Sequence, residues 1–305
     1  MQPTPYIWKN GHWLNWEDAT VHVLTHALHY GTAVFEGVRA YETAQGPAIF
    51  RAKDHYDRLV HSAHIYLMDI SYTADELIAI NQELIQKNNL KSCYIRPMFY
   101  VGYGKMGLNP TGNPVDAMMA AWEWGAYLGE EGLIKGVRCK ISSWNRIDSR
   151  ILPPLAKSSA NYANSALAKM EAIQCGYDEA ILLNINGSVS EGPGQNVFVV
   201  KNGCLYTPPI TDNALFGITA DSVMTIAKDL GYPVSFKSIS RDELYVADEL
   251  FFTGTASELT PIREVDGRVI GKGMRGPITE KLQQAFFDVV RGKNERYSHW
   301  LTQIG

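Results

Sequence analysis

The chain has 305 residues, a hydrophobic fraction of 46%, a charged fraction of 20% and a formal net charge of −4. Since a domain typically spans roughly 100–200 residues, this length predicts about two domains with a core that needs no disulfide or metal. The acidic balance and the absence of a basic block argue against a nucleic-acid partner, because such binding depends on Lys and Arg meeting phosphates. No apolar run approaches the ~20 residues of a membrane helix, and no leader pattern is visible, so we expect a cytoplasmic protein that does not enter membranes.

Residues 1–124 predict a smaller N-terminal domain of strands and helices. A hairpin is expected around Asn10-Gly11, because this dipeptide accepts the positive φ angles of a tight turn. The hydrophobic pattern then predicts a strand at 32–40, a partner strand at 48–50, helices covering 55–67 and 77–84, and buried strands at 92–101 and 117–122.

A polar passage at 125–136 predicts an interdomain loop, and residues 137–305 predict a larger domain. Three helices are expected at 159–175, at 219–230 and after Pro277, ending at Gly176, Gly231 and Gly292, respectively. Hairpin turns are expected at Asn186-Gly187, Asn202-Gly203 and Asp266-Gly267. Antiparallel strands with interspersed helices favour an α+β fold class over alternating βαβ units.

Three patterns suggest other functions but are incomplete. Both Gly102–Gly107 and Gly271–Gly276 match G-x-G-x-x-G, but Pro110 and Pro114 follow the first, and too little chain follows the second for a βαβ unit. His22, His26 and His29 lack the carboxylate of a zinc motif, and the four cysteines show no C-x-x-C pair. We therefore predict no dinucleotide site and no metal.

Lys157 lies in the most suggestive window of the chain. Apolar and proline residues precede it, and small residues follow before a helix begins, which leaves room for a planar cofactor. Desolvation lowers the pKa of a lysine, which is what an imine-forming lysine requires. On position alone, however, a surface lysine is the commoner case.

Three later windows could hold other parts of a ligand. Glu191 begins a turn-rich segment that ends at Gln195, and its carboxylate could keep a pyridine nitrogen protonated. Gly217-Ile218-Thr219 opens a helix, where Thr219 is a good N-cap and the backbone N–H groups could bind phosphate. Gly254-Thr255-Ala256 follows a strand and could cradle a phosphate or a carboxylate.

Together these windows resemble the fold-type IV (class IV) aminotransferases, in order and spacing across the second domain. The first domain resembles the branched-chain members in its segments His29–Arg39, Tyr94–Pro97 and Trp124–Tyr127. The resemblance covers nearly the whole chain and implies a pyridoxal 5'-phosphate enzyme whose larger C-terminal domain has a mainly antiparallel, barrel-like sheet, beside a smaller N-terminal α/β domain. Gln195 stands where relatives often have Glu, Phe216 where they often have Pro, and Ser159-Ala160 replace glycine-rich spacing.

The resemblance also implies a role for each matching residue. Lys157 would hold the cofactor as an imine and then move the proton between the substrate Cα and the cofactor C4′. The cofactor would be bound at its pyridine nitrogen by Glu191, at its phenolic oxygen by Tyr162, and at its phosphate by Arg58, Gly217, Ile218, Thr219 and Thr255. The substrate α-carboxylate would meet Tyr94 and the backbone of Thr255 and Ala256, the branched side chain would meet Tyr30, Phe35, Trp124 and Tyr127, and the distal carboxylate of glutamate would meet Arg96.

Met106 and Leu108 would come from a neighbouring subunit's loop, so the resemblance implies at least a homodimer, with a hexamer as a larger option. The expected reaction exchanges amino groups between L-leucine, L-isoleucine or L-valine and 2-oxoglutarate, giving branched 2-oxo acids and L-glutamate. Rivals within the fold are a D-amino-acid or (R)-amine transaminase and an aminodeoxychorismate lyase. From other classes, a nucleotide-dependent oxidoreductase built on Gly102–Gly107 and a non-catalytic binding module remain.

Overall fold

The computed structural model describes residues 2–125 and 127–305, and the chain divides into two units. The first unit comprises the residues up to Trp124 together with Ala156–Ala160 and Asp288–Gly305, and the second comprises Gly125–Leu155 and Asn161–Phe287. The sequence places the segments 156–160 and 288–305 in the second domain. They group with the first unit because their strand and backbone hydrogen bonds are made there, as with Leu301, which pairs with Phe50.

The elements of the N-terminal half begin with a hairpin and end with a long antiparallel pair. They are β1 (Tyr6–Lys9), β2 (His12–Asn15), α1 (His26–Tyr30), β3 (Ala33–Phe35), β4 (Val38–Thr43), β5 (Gly46–Phe50), α2 (Ala52–Ile65), α3 (Ala74–Lys87), β6 (Cys93–Val101) and β7 (Val115–Trp122).

The remaining elements are strands with interspersed helices. They are α4 (Glu130–Lys135), β8 (Val137–Ile141), α5 (Ser159–Gln174), β9 (Glu179–Leu183), β10 (Val189–Glu191), β11 (Asn196–Lys201), β12 (Cys204–Thr207), α6 (Ile218–Asp229), β13 (Val234–Phe236), α7 (Arg241–Tyr245), β14 (Glu249–Gly254), β15 (Glu258–Val265), β16 (Arg268–Val269), α8 (Pro277–Val290) and β17 (Leu301–Gln303). Short 3-10 helices lie at Trp16–Asp18, Ile210–Asp212 and Glu295–Trp300.

The first unit is built on an antiparallel sheet in the order β17-β5-β4-β6-β7-β1-β2, with β3 also pairing with β6. The predicted Asn10-Gly11 turn is confirmed, with φ angles of 48° and 84°. Helices α2 and α3 cover the sheet, because their apolar residues recur at helical spacing and join the sheet side chains in one buried core. A capping box formed by Thr73 and Glu76 begins α3.

The predicted strand at 32–40 is interrupted at Glu36 and Gly37, where β3 ends and β4 has not begun. The register against β6 nevertheless continues, since Phe35 pairs with Met98 and Val38 with Ile95. Glu36 donates its N–H to the carbonyl of Pro97 at 2.9 Å, but proline has no N–H to donate in return. The missing ladder bond explains the break.

The second unit contains a mixed sheet in the order β10-β9-β8-β15-β14-β11-β12-β13, with β16 pairing with β15. Its described pairs are mainly antiparallel, as predicted, but β8 runs parallel to both β9 and β15, and β12 runs parallel to β13. The predicted turns at Asn202-Gly203 and Asp266-Gly267 are confirmed by positive φ angles at all four residues.

The passage predicted as an interdomain loop contains a helix. α4 occupies Glu130–Lys135 and ends at Gly136, which has a φ of 83°. An ion pair between Glu131 and Lys135 spans one helical turn at 2.5 Å. The helix is too short, and too close to glycines, to produce a recognisable hydrophobic period.

Candidate active site

Lys157 is anchored by its backbone in the first unit. Its N–H donates to Oγ of Ser62 at 3.1 Å, and its carbonyl accepts from the N–H of Phe35 at 3.0 Å. The hydroxyl of Tyr66 donates to Oγ of the next residue, Ser158, at 2.8 Å. The Nζ atom lies 5.4 Å from the centre of the Phe35 ring. The lysine side chain therefore extends from a fixed backbone beside an aromatic face.

A buried ionic cluster surrounds Arg58, the predicted phosphate ligand. Its Nε lies 2.5 Å from Oε1 of Glu36 and its Nη2 lies 2.9 Å from Oε2. The Nδ1 atom of His55 lies 2.8 Å from the same Oε2. Burial by itself would raise the pKa of Glu36, but the Arg58 charge and the His55 hydrogen bond outweigh it and hold that pKa well below its usual range. Glu36 is therefore ionised, and no pattern in the sequence points to this role.

His55 makes the stability of the first unit depend on pH. Burial lowers the pKa of His55 below its ordinary value of 6.5, although Glu36 partly opposes the shift. Because the unfolded chain then binds the proton more readily, stability is lost as pH falls below about 6.5, by at most about 1.4 kcal/mol per pH unit for one group.

We expect His55→Gln to lessen the loss of unfolding free energy between pH 7 and pH 5, since glutamine keeps a donor for Glu36 and does not titrate. Urea unfolding at several pH values measures this. His61→Gln is the control, because His61 is exposed on the same helix. An unchanged slope in His55→Gln would contradict the prediction.

Four of the predicted substrate residues form one cluster in the first unit. Tyr94 and Arg96 share a face of β6, and Nη2 of Arg96 donates to the Tyr94 hydroxyl at 3.0 Å. The Arg96 guanidinium carbon lies 4.6 Å from the centre of the Phe35 ring, and the Tyr94 ring meets that of Trp124 edge-on at 4.7 Å. A Cβ added at Gly37 would lie 2.2 Å from the Tyr94 hydroxyl. The cluster offers both an aromatic wall and a guanidinium.

Three other predicted substrate residues of the first unit are more exposed. Tyr30 ends α1, and its described ring contacts are with His26 at 4.5 Å and His29 at 6.3 Å. Met106 and Leu108 are 44% and 87% exposed, on a loop that His26 contacts at the Gly107 carbonyl, 2.7 Å away. These side chains are not buried within the unit that carries them.

In the second unit, Glu191 ends β10 with its carboxylate held from two sides. Its Oε1 lies 2.7 Å from Nε of Arg146, and its Oε2 accepts the N–H of Leu215 at 2.9 Å. Both charged side chains are less than a tenth exposed. Arg146 was not identified from the sequence, because nothing in its window marks it as the partner of a residue so far along the chain.

Gln195, where relatives often have Glu, has a structural explanation. Its Nε2 donates to Oε2 of Glu179 at 3.0 Å, and its Oε1 accepts from the N–H of Gly194 at 3.0 Å. Glu179 is completely buried and also pairs with Lys169 at 3.1 Å. A second carboxylate here would oppose that of Glu179, whereas the amide satisfies it and fixes the turn after Glu191.

The predicted phosphate site gathers around the start of α6. Gly217, not Thr219, is the N-cap, and it caps without a side-chain hydrogen bond. Thr219 is the second helical residue and is buried, so the prediction of Thr219 as the cap is wrong. A Cβ at Gly217 would lie 1.8 Å from Oδ1 of Asn196, and Asn196 pairs with Thr253 at the end of β14. The α6 N-terminus therefore adjoins the strand that leads into Thr255 and Ala256.

Polar atoms near these elements fit an anionic cofactor. The hydroxyls of Ser190, Thr253 and Ser257 are buried and make no hydrogen bond to any residue in 2–125 or 127–305. A buried hydroxyl without a partner is costly. Together with the close approach at Gly217 and the helix N-terminus, these hydroxyls suit a ligand that carries phosphate and ring heteroatoms.

Gly217→Ala tests the close approach. We expect it to weaken cofactor binding by roughly tenfold or more, because the new methyl group must displace Asn196 or the start of α6. Gly194→Ala is the matched control, since a Cβ there meets nothing within 4 Å. Titration of each apoprotein with pyridoxal phosphate provides the dissociation constants, and equal constants for the two variants would contradict the expectation.

Two other predicted site residues of the second unit, Tyr162 and Tyr127, lie on α5 and against one of its side chains. Tyr162 is half-buried in the first turn of α5, next to Asn161, whose Nδ2 donates to the Pro153 carbonyl at 3.0 Å. The Nζ atom of Lys169 lies 5.6 Å from the centre of the Tyr127 ring. Ala126, part of the segment that resembles the branched-chain enzymes, lies outside the described residues.

Neither metal nor membrane features are found in the described chain. No group of three His, Cys, Asp or Glu residues within 2–125 and 127–305 is placed to hold a metal ion. Across those same residues, no helix has the length and apolar character to cross a membrane.

Comparison with known proteins identifies the family. The family model for class IV amino-transferases matches residues 33–265. A branched-chain-amino-acid aminotransferase from Pseudomonas aeruginosa is 52% identical, over 98% of this chain and 97% of its own length. The crystal structure of a T.th. branched-chain amino acid aminotransferase with pyridoxamine 5'-phosphate has a TM-score of 0.97 and 49% identity, with 100% of each chain covered. A structure of the T.th. enzyme complexed with N-(5'-phosphopyridoxyl)-L-glutamate has a TM-score of 0.94 and 46% identity, again over 100% of each chain.

The chain therefore belongs to the class IV aminotransferases. It has their fold-type IV architecture, and it is an enzyme of the transaminase type. The resemblance stated from the sequence is confirmed.

Proposed function

We propose that this enzyme uses pyridoxal 5'-phosphate to exchange amino groups between L-leucine, L-isoleucine or L-valine and 2-oxoglutarate. The observation that carries the proposal is the cluster of Phe35, Tyr94, Arg96 and Trp124, which combines an aromatic wall with a guanidinium. The names of its relatives support the donor class, and the glutamate adduct held by a neighbouring structure supports the second substrate.

The bound cofactor supplies an electron sink that stabilises charge on the substrate Cα. Lys157 would hold the cofactor through its amino group and would then act as the base that moves the proton at the substrate Cα. Its backbone anchors at Ser62 and Phe35 keep the lysine in place while its amino group changes partners. The Phe35 ring lies 5.4 Å from Nζ and covers one side of the amino group.

Glu191 binds the pyridine nitrogen, and Tyr162 donates to the phenolic oxygen. The Arg146 ion pair favours the ionised carboxylate, and the Leu215 N–H fixes its orientation. An ionised and immobile carboxylate keeps the nitrogen protonated, which preserves the electron sink. Arg146 thereby supports the chemistry without contacting the substrate.

The phosphate is held by charge and by backbone donors. Arg58 supplies the guanidinium, and Gly217, Ile218 and Thr219 supply the start of α6. Thr255 adds its hydroxyl from the turn after β14. Both kinds of group suit a phosphate, because a guanidinium makes charge-assisted bonds and a helix N-terminus offers backbone N–H groups.

The enzyme must accept substrates with two unlike side chains, one branched and apolar and one that carries a carboxylate. The α-carboxylate binds Tyr94 and the backbone N–H groups of Thr255 and Ala256, whichever substrate is present. A branched side chain packs against Phe35, Trp124, Tyr30 and Tyr127. The distal carboxylate of glutamate pairs with Arg96, whose guanidinium already lies against Phe35 and Tyr94.

A donor panel tests the proposal. Purified enzyme is incubated with 2-oxoglutarate and, in separate reactions, L-leucine, L-isoleucine, L-valine, D-alanine or an (R)-arylamine, and glutamate formation is measured. We expect turnover with the three branched donors. Turnover only with D-alanine or the arylamine would replace the proposal with a D-amino-acid or (R)-amine transaminase, and no turnover with any donor would reject both.

We further propose that the enzyme is at least a homodimer in the cytoplasm. The exposed Met106 and Leu108 support an assembly in which a neighbouring subunit covers this loop. The four free cysteines suit a reducing compartment. Light scattering after size-exclusion chromatography measures the assembly, and a monomer at micromolar concentration would contradict it.

A further inference from the structure

Glu36 is a buried acid that the proposed reaction does not use. It has no exposed surface, yet it carries a charge in the middle of the first unit, beside Arg58. A buried charge is retained only where partners compensate for the loss of water. We propose that Glu36 is a positioning residue that orients the Arg58 guanidinium toward the cofactor phosphate, an inference that rests on the proposed function.

The contact between the two side chains fixes a plane. Both carboxylate oxygens of Glu36 are used, Oε1 by Nε of Arg58 at 2.5 Å and Oε2 by Nη2 at 2.9 Å. Such a pair of hydrogen bonds between two planar groups sets the rotation of the guanidinium about its long side chain. The directions of its other N–H groups are set with it, before any phosphate binds.

The carboxylate itself is immobilised from the other side. His55 contacts Oε2 through Nδ1 at 2.8 Å, and the N–H of Gly37 donates to the same oxygen at 3.2 Å. His55 and Arg58 are three residues apart on α2, so both project from one face of that helix. Glu36 therefore cannot follow a rotation of the arginine.

The same helix face holds the backbone at the cofactor lysine. Arg58, Ser62 and Tyr66 follow one another at intervals of four residues along and just beyond α2. Ser62 accepts from the N–H of Lys157 at 3.1 Å, and Tyr66 donates to Ser158 at 2.8 Å. Pyridoxal phosphate is a rigid ring with a short phosphate arm, so its aldehyde carbon and phosphorus have a limited range of separations. The α2 contacts and Glu36 together fix the positions of the lysine and the arginine relative to each other.

Charge and orientation make opposite predictions for the loss of Glu36. The carboxylate partly cancels the charge of Arg58, so its removal strengthens phosphate binding if net charge dominates. It weakens binding if the orientation of the guanidinium dominates. We expect weaker phosphate binding, because the guanidinium will turn toward other acceptors once its fixed partner is gone.

Binding of two cofactor forms by the apoenzyme separates these cases. Dissociation constants for pyridoxal phosphate and for pyridoxal, which lacks the phosphate, are measured by fluorescence quenching for wild type, Glu36→Gln and Glu36→Ala. We expect the constant for pyridoxal phosphate to rise about tenfold to a hundredfold, and that for pyridoxal to change less than about twofold. Inorganic phosphate should compete with pyridoxal phosphate less well in the variants than in wild type.

A double-variant comparison tests whether Glu36 acts through Arg58. In an Arg58→Gln background, Glu36→Gln should cost no more than about twofold further affinity for pyridoxal phosphate. Thermal unfolding of each apoprotein identifies variants that fail to fold, and Glu36→Gln, which keeps the size of the side chain, is the variant compared first.

Three results would overturn the inference: equal losses for both cofactor forms, tighter binding of pyridoxal phosphate, or unchanged binding in Glu36→Gln. A wild-type enzyme that does not bind pyridoxal phosphate would instead reject the proposed function.

Discussion

Replacement of Lys157 by alanine should lower kcat by about 10³- to 10⁴-fold, the upper part of the range for a positioned general base. The substitution removes the amino group that, in the proposed reaction, attaches the cofactor and moves the proton. It leaves the backbone bonds to Ser62 and Phe35 in place, because these use only the main chain of residue 157. The variant should therefore fold and bind pyridoxal phosphate through the proposed phosphate-binding residues, without attaching it covalently.

Visible absorption, borohydride labelling and kcat check this result. The variant should lose the visible absorption of the attached cofactor, and borohydride reduction should label a peptide containing Lys157 in wild type but not in the variant. Lys272→Ala is the control, because Lys272 is an exposed lysine of the second unit. Label on another lysine, or a variant with more than a tenth of wild-type kcat, would move the attachment point elsewhere.

Glu191→Gln should have the second largest effect, a fall in kcat of about 10²- to 10³-fold, as for the loss of one fixed electrostatic group in an active site. Glutamine cannot keep a pyridine nitrogen protonated by charge. The substitution also leaves Arg146 buried beside a neutral partner, which should destabilise the second unit by about 3–5 kcal/mol. Activity must therefore be measured on folded protein saturated with cofactor.

The matched control for that variant is Glu249→Gln. Glu249 is another buried carboxylate of the second unit, and its oxygens accept from the N–H groups of Ile278 and Thr279 at the start of α8. We expect this variant to lose stability without losing kcat once folded. If Glu191→Gln behaves in the same way, Glu191 supports the fold and does not act on the cofactor.

Local patterns predicted most of the elements of the chain. The helices α2, α3, α5, α6 and α8 and the turn at Asn10-Gly11 are confirmed close to their expected bounds, because periodicity and turn chemistry are encoded by neighbouring residues. Short or interrupted elements are harder to predict from such patterns. The strand break at Glu36 depends on Pro97 in another strand, and α4 is too short to show a period.

The candidate site divides in the same way between local and long-range information. Lys157, Glu191, Gly217 and the substrate residues were predicted because they stand in recognisable windows. The residues that support them show no such local pattern. Glu36 and His55 become visible only beside Arg58, and Arg146 lies far in sequence from Glu191.

By itself, the sequence determined the family, the order of the principal elements and the residue types available for chemistry. The tertiary structure alone decided that segments 156–160 and 288–305 group with the first unit, that Gly217 caps α6, and that Glu36 pairs with Arg58. The reason is physical: helical period and turn propensity are local, whereas burial makes each charge and each hydrogen bond depend on a partner that only folding brings near.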